Sequence, residues 1–270
     1  MTAAPGRFSL STKVAVVTGA GRGIGYGLAV GLAEHGADII AVDRMPVEKA
    51  AGLQDAIRNL GRRVWYFEQD LANTEQLAAL ADRIWESAGR VDILVNNAGI
   101  SFFEHFDKIT IETWRKTMAV NVEAMFFLTQ ALAKRMIAQR IKGRIINLSS
   151  KNGFVAEAGL THYNSSKGAV ELLTQTLAIE LGAHGITVNT IAPGIIQTNI
   201  AEHFEIDPAF FDYYKEHIPL EHRFGEVEDV VGAAIFLASR AGAYMTGQHL
   251  VIDGGVLCEQ VPRLRFMKKS

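Results

Sequence analysis

The sequence predicts an α/β protein: a single doubly wound parallel β-sheet flanked by helices on both faces. Three observations carry that prediction. Short apolar runs rich in β-branched residues alternate with amphipathic helical stretches along almost the whole chain. The first run ends in a glycine-rich turn and leads directly into a helix. No linker or low-complexity break divides the 270 residues, so 1–270 is expected to form one domain.

KVAVVTG (13–19) is a short strand ending in glycine, and YGLAVGLAEHG (26–36) has helical periodicity with a terminal Gly. ADIIAVD (37–43) is the second strand, 47–60 a helix, RVWYFEQDL (63–71) the third strand, and 74–87 a helix. VDILVNNAG (91–99) reads as a strand, 111–139 as one long helix with Trp114 in the core near its start, and RIINLSS (144–150) as a strand. A helix over 162–182, the strand ITVNTIAPG (186–194), a helix from Glu226 to Ala238 and a closing strand HLVIDGG (249–255) complete the pattern. The polar and aromatic stretch up to about 222 carries no assigned element.

Composition narrows the function classes. With 49% hydrophobic residues there is ample material for a core, and a net charge of −2 gives no electrostatic case for nucleic acid or an anionic membrane. The single cysteine, Cys258, excludes an internal disulfide framework and suits a reducing cytoplasm. The N-terminal MTAAPGRFSL lacks an apolar h-region, and no run approaches a membrane span. The eight histidines form no metal-ligand spacing, so no metal is expected. In the C-terminal tail, 256–270, only RLRFMKKS is locally basic.

TGAGRGIG (18–25) lies where the first strand becomes the first helix. Bare backbone there lets a pyrophosphate approach the helix N-terminus, whose free N–H groups and macrodipole favour an anion. Gly19, Gly23 and Gly25 are spaced G-x-x-x-G-x-G, a longer turn than the usual dinucleotide fingerprint of a Rossmann-type fold. Asp43 ends the second strand, near the offset at which an acid meets the adenosine ribose. A carboxylate there accepts from both ribose hydroxyls and repels a 2′-phosphate, which favours NAD over NADP. Arg22 and Arg44 send the opposite signal, because each could partner that phosphate.

Together these residues resemble the short-chain dehydrogenase/reductase superfamily, from Lys13 to Gly255. TGAGRGIG matches the family's T-G-x-x-x-G-x-G loop, Asp70-Leu71 its adenine-pocket acid, NNAG (96–99) the end of its fourth strand, and Asn121 its helix asparagine. Tyr163 and Lys167 match Y-x-x-x-K, and Ser150 lies thirteen positions before the tyrosine, the family's usual interval, which selects it over Ser149. APGIIQT (192–198) matches the motif beside the nicotinamide. The resemblance implies a cofactor site of Gly19, Arg22, Gly23, Ile24, Gly25, Asp43, Asp70, Leu71 and Asn97. Pro193, Gly194, Ile196, Thr198, Tyr163 and Lys167 complete it.

The implied catalytic set is Asn121, Ser150, Tyr163 and Lys167. Tyr163 would be general acid/base on the substrate oxygen, Ser150 would hold that oxygen, and Lys167 would lower the tyrosine pKa and bond the ribose. Asn121 would anchor a water linking Lys167 to solvent. Bringing a phenol from ~10 to about 7 needs ~4 kcal/mol in favour of the phenolate. An exposed ion pair supplies ~1 kcal/mol at most, so Lys167 would need both the positive ring of bound NAD and a site partly closed to water.

The resemblance implies a homotetramer or homodimer, with the 111–139 and 162–182 helices as the main dimer face and the C-terminal strand as a second. It also makes the segment of about 195–222 the variable substrate lid, with Phe204, Phe210, Phe211, Tyr213 and Tyr214 as lid-packing, oligomer-contact or sugar-stacking groups. Asn152, Glu157 and His203 are the candidate substrate contacts, and His162 is expected to be structural or solvated. The expected activity is hydride transfer between a nicotinamide cofactor and a secondary alcohol or ketone: a small polyol, sugar or hydroxy acid. The alternative within enzymes is a 3-oxoacyl-carrier-protein reductase, which the Arg22-containing loop resembles, although Asp43 disfavours NADPH. The alternative of another class is a non-catalytic nucleotide-sensing module, against which the intact Ser150–Tyr163–Lys167–Asn121 set argues.

Overall fold

A computed structural model describes residues 6–198 and 207–258. Seven strands form one parallel sheet: β1 Val14–Thr18, β2 Asp38–Asp43, β3 Val64–Glu68, β4 Ile93–Asn96, β5 Arg144–Leu148, β6 Thr187–Pro193 and β7 His249–Ile252. Their order is β3-β2-β1-β4-β5-β6-β7, so winding runs outward from β1 in one direction and resumes at β4 in the other.

Side-chain alternation splits the apolar residues into two cores. Ala15, Val17, Ile39, Ala41, Ile93 and Val95 face α1 (Gly23–Glu34), α2 (Ala51–Asn59) and α8 (Val227–Ala238). Val14, Val16, Ile40, Val42 and Leu94 face α3 (Leu77–Ala88), α5 (Ala124–Ala138) and α6 (Thr161–Gly182). With both faces covered, the strands can be apolar on both sides.

The expected helix over 111–139 is interrupted. A capping box on Thr110 starts α4 (Ile111–Met118), five residues from Ala119 to Glu123 form a π-turn, and α5 follows. Trp114 is not a core residue: it is 39% exposed, and α4 buries Thr117 instead. The stretch without an assigned element contains α7 (Pro208–Glu216), capped by Asp207, whose side chain accepts from the Ala209 N–H. Asp-Pro at a helix start is a recognisable signal, masked here by the run of aromatics. Among the described residues no helix is long and apolar enough to cross a membrane, and no cluster of potential metal ligands occurs.

Candidate active site

All seven strands point their C-terminal ends at one edge of the sheet. There, across the β1/β4 reversal of winding, a cleft of about 260 Å³ opens. Its walls are the residues that follow the strands: the glycine loop after β1, Asp43 and Arg44 after β2, Asp70 and Leu71 after β3, and Asn97 to Gly99 after β4. Ser149 after β5 and Pro193 closing β6 complete the rim.

The glycine loop is shaped for close approach. Gly19 and Gly23 have φ of +65° and +56°, and a Cβ at Gly25 would collide with the Gly19 carbonyl. The first turn of α1 contains no acidic residue, and its N-cap, Arg22, provides no side-chain cap. The free N–H groups at that helix end therefore face the cleft without a protein acceptor, the condition a pyrophosphate fits. Ile24 also lines the cleft.

The Asp43 carboxylate is fixed in place by two backbone donors, Gly21 N–H at 2.8 Å and Met45 N–H at 2.9 Å. Arg22 and Arg44 line the same end of the cleft. Asp70 accepts from the Ala72 N–H at 2.9 Å and presents Leu71 to the cleft. Asn97 lines the cleft as well, but its amide is spent on the carbonyls of Thr18 and Gly19, which brace the glycine loop. Pro193 and Thr198 reach the cleft wall. Gly194 and Ile196 do not line the cleft: Gly194 packs against Asp253, and the Ile196 side chain enters the core beneath Gly225. The Gly194 N–H donates to the Ile252 carbonyl on β7, and Ile196 bridges to Gly225.

At the far end of the cleft α6 presents Tyr163 and Lys167 one turn apart, with the Lys167 ammonium 5.6 Å from the phenol ring centroid. The Ser150 hydroxyl hydrogen-bonds the Tyr163 phenol and accepts from the Asn152 N–H at 3.1 Å. Ser149 is turned away, donating to the Lys167 carbonyl at 3.4 Å. Asn121 sits in the π-turn, where its amide clasps both backbone groups of Ile100 and donates to Ser166 at 3.0 Å.

Tyr163 is partly exposed along the cleft wall, yet burial raises its pKa above the ordinary value; the Ser150 hydrogen bond lowers it, and Glu157 adds to the rise. Burial also brings Lys167 down to about 8, opposed by the Glu171 carboxylate. The ammonium donates to the Leu148 carbonyl at 2.8 Å. The protein's own groups thus leave the phenol protonated at neutral pH, in line with the need for a further positive charge beside it.

Beside Ser150 lies a polar platform that the sequence did not reveal. Lys151 is 3% exposed, with its ammonium 2.5 Å from Glu157 Oε1 and 3.0 Å from Asn152 Oδ1. Asn152 in turn donates to Glu157 at 3.2 Å and to Asn164 at 2.9 Å. Tyr214, on α7, covers this group: the Lys151 ammonium lies 5.5 Å from its ring, and its hydroxyl faces Glu157 without a hydrogen bond of regular geometry. Asn152 and Glu157 are therefore wired together beside Ser150 and Tyr163 instead of standing free in a solvated loop. A lysine after a serine reads as solvated, and only the folded loop buries it.

His203 and Phe204 lie outside the described residues. His162 is structural: fully buried, near Phe102, its Nε2 3.4 Å from Glu104, and its pKa lowered by burial against that carboxylate.

A glycine-loop cleft, a helix-borne tyrosine–lysine pair and a serine on the adjoining strand end define a nicotinamide-dependent oxidoreductase. The family model described as enoyl-(acyl carrier protein) reductase matches residues 19–257. Gluconate 5-dehydrogenase of Gluconobacter oxydans (strain 621H) is 38% identical over 93% of this chain and 97% of its own length. The crystal structure of a gluconate 5-dehydrogenase from Burkholderia cenocepacia J2315 in complex with NADP and tartrate is 39% identical. It covers 94% of this chain and 98% of its own, with a TM-score of 0.88. A short-chain type dehydrogenase/reductase from Mycobacterium marinum superposes with a TM-score of 0.88 at 34% identity, covering 94% of this chain and 98% of its own. The chain belongs to the short-chain dehydrogenase/reductase superfamily. It is an NAD(P)-dependent oxidoreductase acting on CH–OH groups.

Proposed function

We propose that the protein oxidises a small polyol, sugar or sugar acid at a secondary alcohol, with NAD preferred over NADP. The observation that carries the substrate reading is the platform of Lys151, Asn152 and Glu157 beside Ser150 and Tyr163. A carboxylate and amide locked in place suit the hydroxyls of a polyhydroxylated chain, and they suit an acyl chain poorly. The gluconate dehydrogenases among its relatives support the same class.

In this reading Ser150 holds the substrate oxygen by a hydrogen bond, and Tyr163 takes the hydroxyl proton or returns it. Lys167 stands beside the phenol, on the side of the cleft where a ribose would lie. Asn121 ties the loop after β4 to α6 and would hold a water through which Lys167 exchanges protons with solvent. A bound nicotinamide supplies the hydride acceptor or donor.

Exposed apolar residues on the outer faces of α5 and α6, Phe127, Leu172 and Ile179, support assembly through these helices into a dimer or tetramer. The lone cysteine supports a cytoplasmic location.

The test is reduced-nicotinamide absorbance with a panel of gluconate, polyols, aldoses and hydroxy acids, with NAD and NADP, and with acyl thioesters in reverse. Turnover confined to acyl thioesters would refute the substrate class. On the best substrate, kcat/KM with NAD should exceed that with NADP at least ~10-fold, because a 2′-phosphate would press on Asp43. Asp43→Asn removes the charge and keeps one of the two acceptors that the Gly21 and Met45 N–H groups use, so the ratio should fall by ~10-fold or more, mainly through KM. A wild type preferring NADP would mean that Arg22 and Arg44 outweigh the carboxylate.

A further inference from the structure

The face of α6 that carries Tyr163 and Lys167 continues at the same spacing to Glu171 and Gln175. Glu171 is 7% exposed, a carboxylate buried where the reaction assigns it no part. Its Oε2 accepts from the Thr190 hydroxyl on β6 at 2.9 Å and pairs with His249 Nδ1 on β7. The His249 Nε2 lies 2.8 Å from the Gln175 amide, and its ring meets Phe154 edge-on. Three elements thus fix one carboxylate, while Glu171 Oε1 is buried with no hydrogen bond.

A buried acid with an unspent oxygen is costly unless a positive charge is near. One turn back along α6 is Lys167, whose ammonium donates to the Leu148 carbonyl and makes no direct ion pair among the described residues. We infer that Glu171 is a positioning residue, a counter-charge held one turn behind Lys167 so that its ammonium stays charged at neutral pH. The other groups around Lys167 do not compete for this role. Tyr163 and Asn121 are neutral, Lys151 is spent on Glu157, and Lys116 on the cleft wall is a like charge. Glu171 opposes the burial that brings Lys167 down to about 8. His249 faces Glu171 from the other side and, when protonated, draws part of its field away from the lysine.

The test titrates cofactor-free protein labelled at lysine Cε and Nζ by NMR, with the Lys167 signal assigned from Lys167→Arg. Glu171→Gln keeps the shape and removes the charge, and should lower the Lys167 midpoint by about 1 pH unit. His249→Asn disturbs the cluster but keeps the carboxylate, and should leave the midpoint at or above wild type. An unmoved midpoint in Glu171→Gln, or an equal fall in His249→Asn, would overturn the inference, the second outcome by showing that packing carries the effect. If Glu171→Gln does not fold, Glu171→Met with Thr190→Val removes the charge and its donor together and must give the same fall. The relevance to catalysis rests on the function proposed above: the basic limb of kcat/KM should move down with the midpoint. The titration is independent of turnover, so a protein with no dehydrogenase activity could still support or refute the coupling.

Discussion

Lys151 and Lys167 are both nearly inaccessible, 3% and 4% exposed, and they stand on either side of the Ser150–Tyr163 pair. Their surroundings are opposite. Lys151 has a carboxylate at 2.5 Å, an amide oxygen at 3.0 Å and the Tyr214 ring beyond. Lys167 has a backbone carbonyl at 2.8 Å and its carboxylate one turn away. The first charge is cancelled where it stands, which makes a rigid platform. The second is left partly uncompensated, which keeps its proton within reach of neutral pH. In the proposed reaction the rigidity would serve recognition, and the unbalanced charge would serve proton transfer.

Exchanging each lysine for an apolar isostere should separate the two roles. Lys167→Met is expected to have the largest effect, a loss of ~10³ in kcat/KM. The same variant tests the charge imbalance. A lysine at about 8 when folded and 10.5 when unfolded binds fewer protons in the native state between those values. Wild-type stability should therefore rise relative to the variant as pH climbs through that window, by about 3 kcal/mol in urea unfolding. A pH-independent difference would show that the Lys167 ammonium is not penalised by burial.

The two serines after β5 come next. Ser150→Ala should lower kcat by ~10² and Ser149→Ala by less than ~5-fold, because only the former faces the phenol. The reverse order would move the active-site edge by one residue. Lys151→Met should have the smallest catalytic effect. It leaves Glu157 without its cation, so urea unfolding should show a loss of about 2 kcal/mol, discounted because a third of that carboxylate reaches solvent. Substrate KM should rise with little change in kcat. A large fall in kcat would make Lys151 part of the chemistry.

The strands and the glycine loop were legible because apolar runs and close backbone approach leave direct marks on residue type. Ser150, Tyr163 and Lys167 were legible as a spacing, and the fold sets them side by side. The environments of the lysines were not. Whether Lys151 is solvated or buried depends on where Glu157 and Tyr214 arrive, one from a loop and one from α7, and no local pattern encodes that. Glu171 follows Lys167 at the spacing by which Lys167 follows Tyr163, a repeat that the sequence offered and that gains meaning only when β6 and β7 close over it. Trp114 went the other way: it is expected in the core at a helix start, whereas α4 leaves it exposed and buries Thr117.

That break has a consequence for how the chain tolerates change in length. A π-turn holds one more residue than the α-turn it replaces, so α4 and α5 are out of phase with each other. Losing any single residue between Ala119 and Glu123 would let the two helices fuse into one regular rod with better backbone geometry. The same repair would remove the widened turn that carries Asn121 and take its amide away from Ile100 and Ser166. The helix is held in its less regular form by what one asparagine must reach.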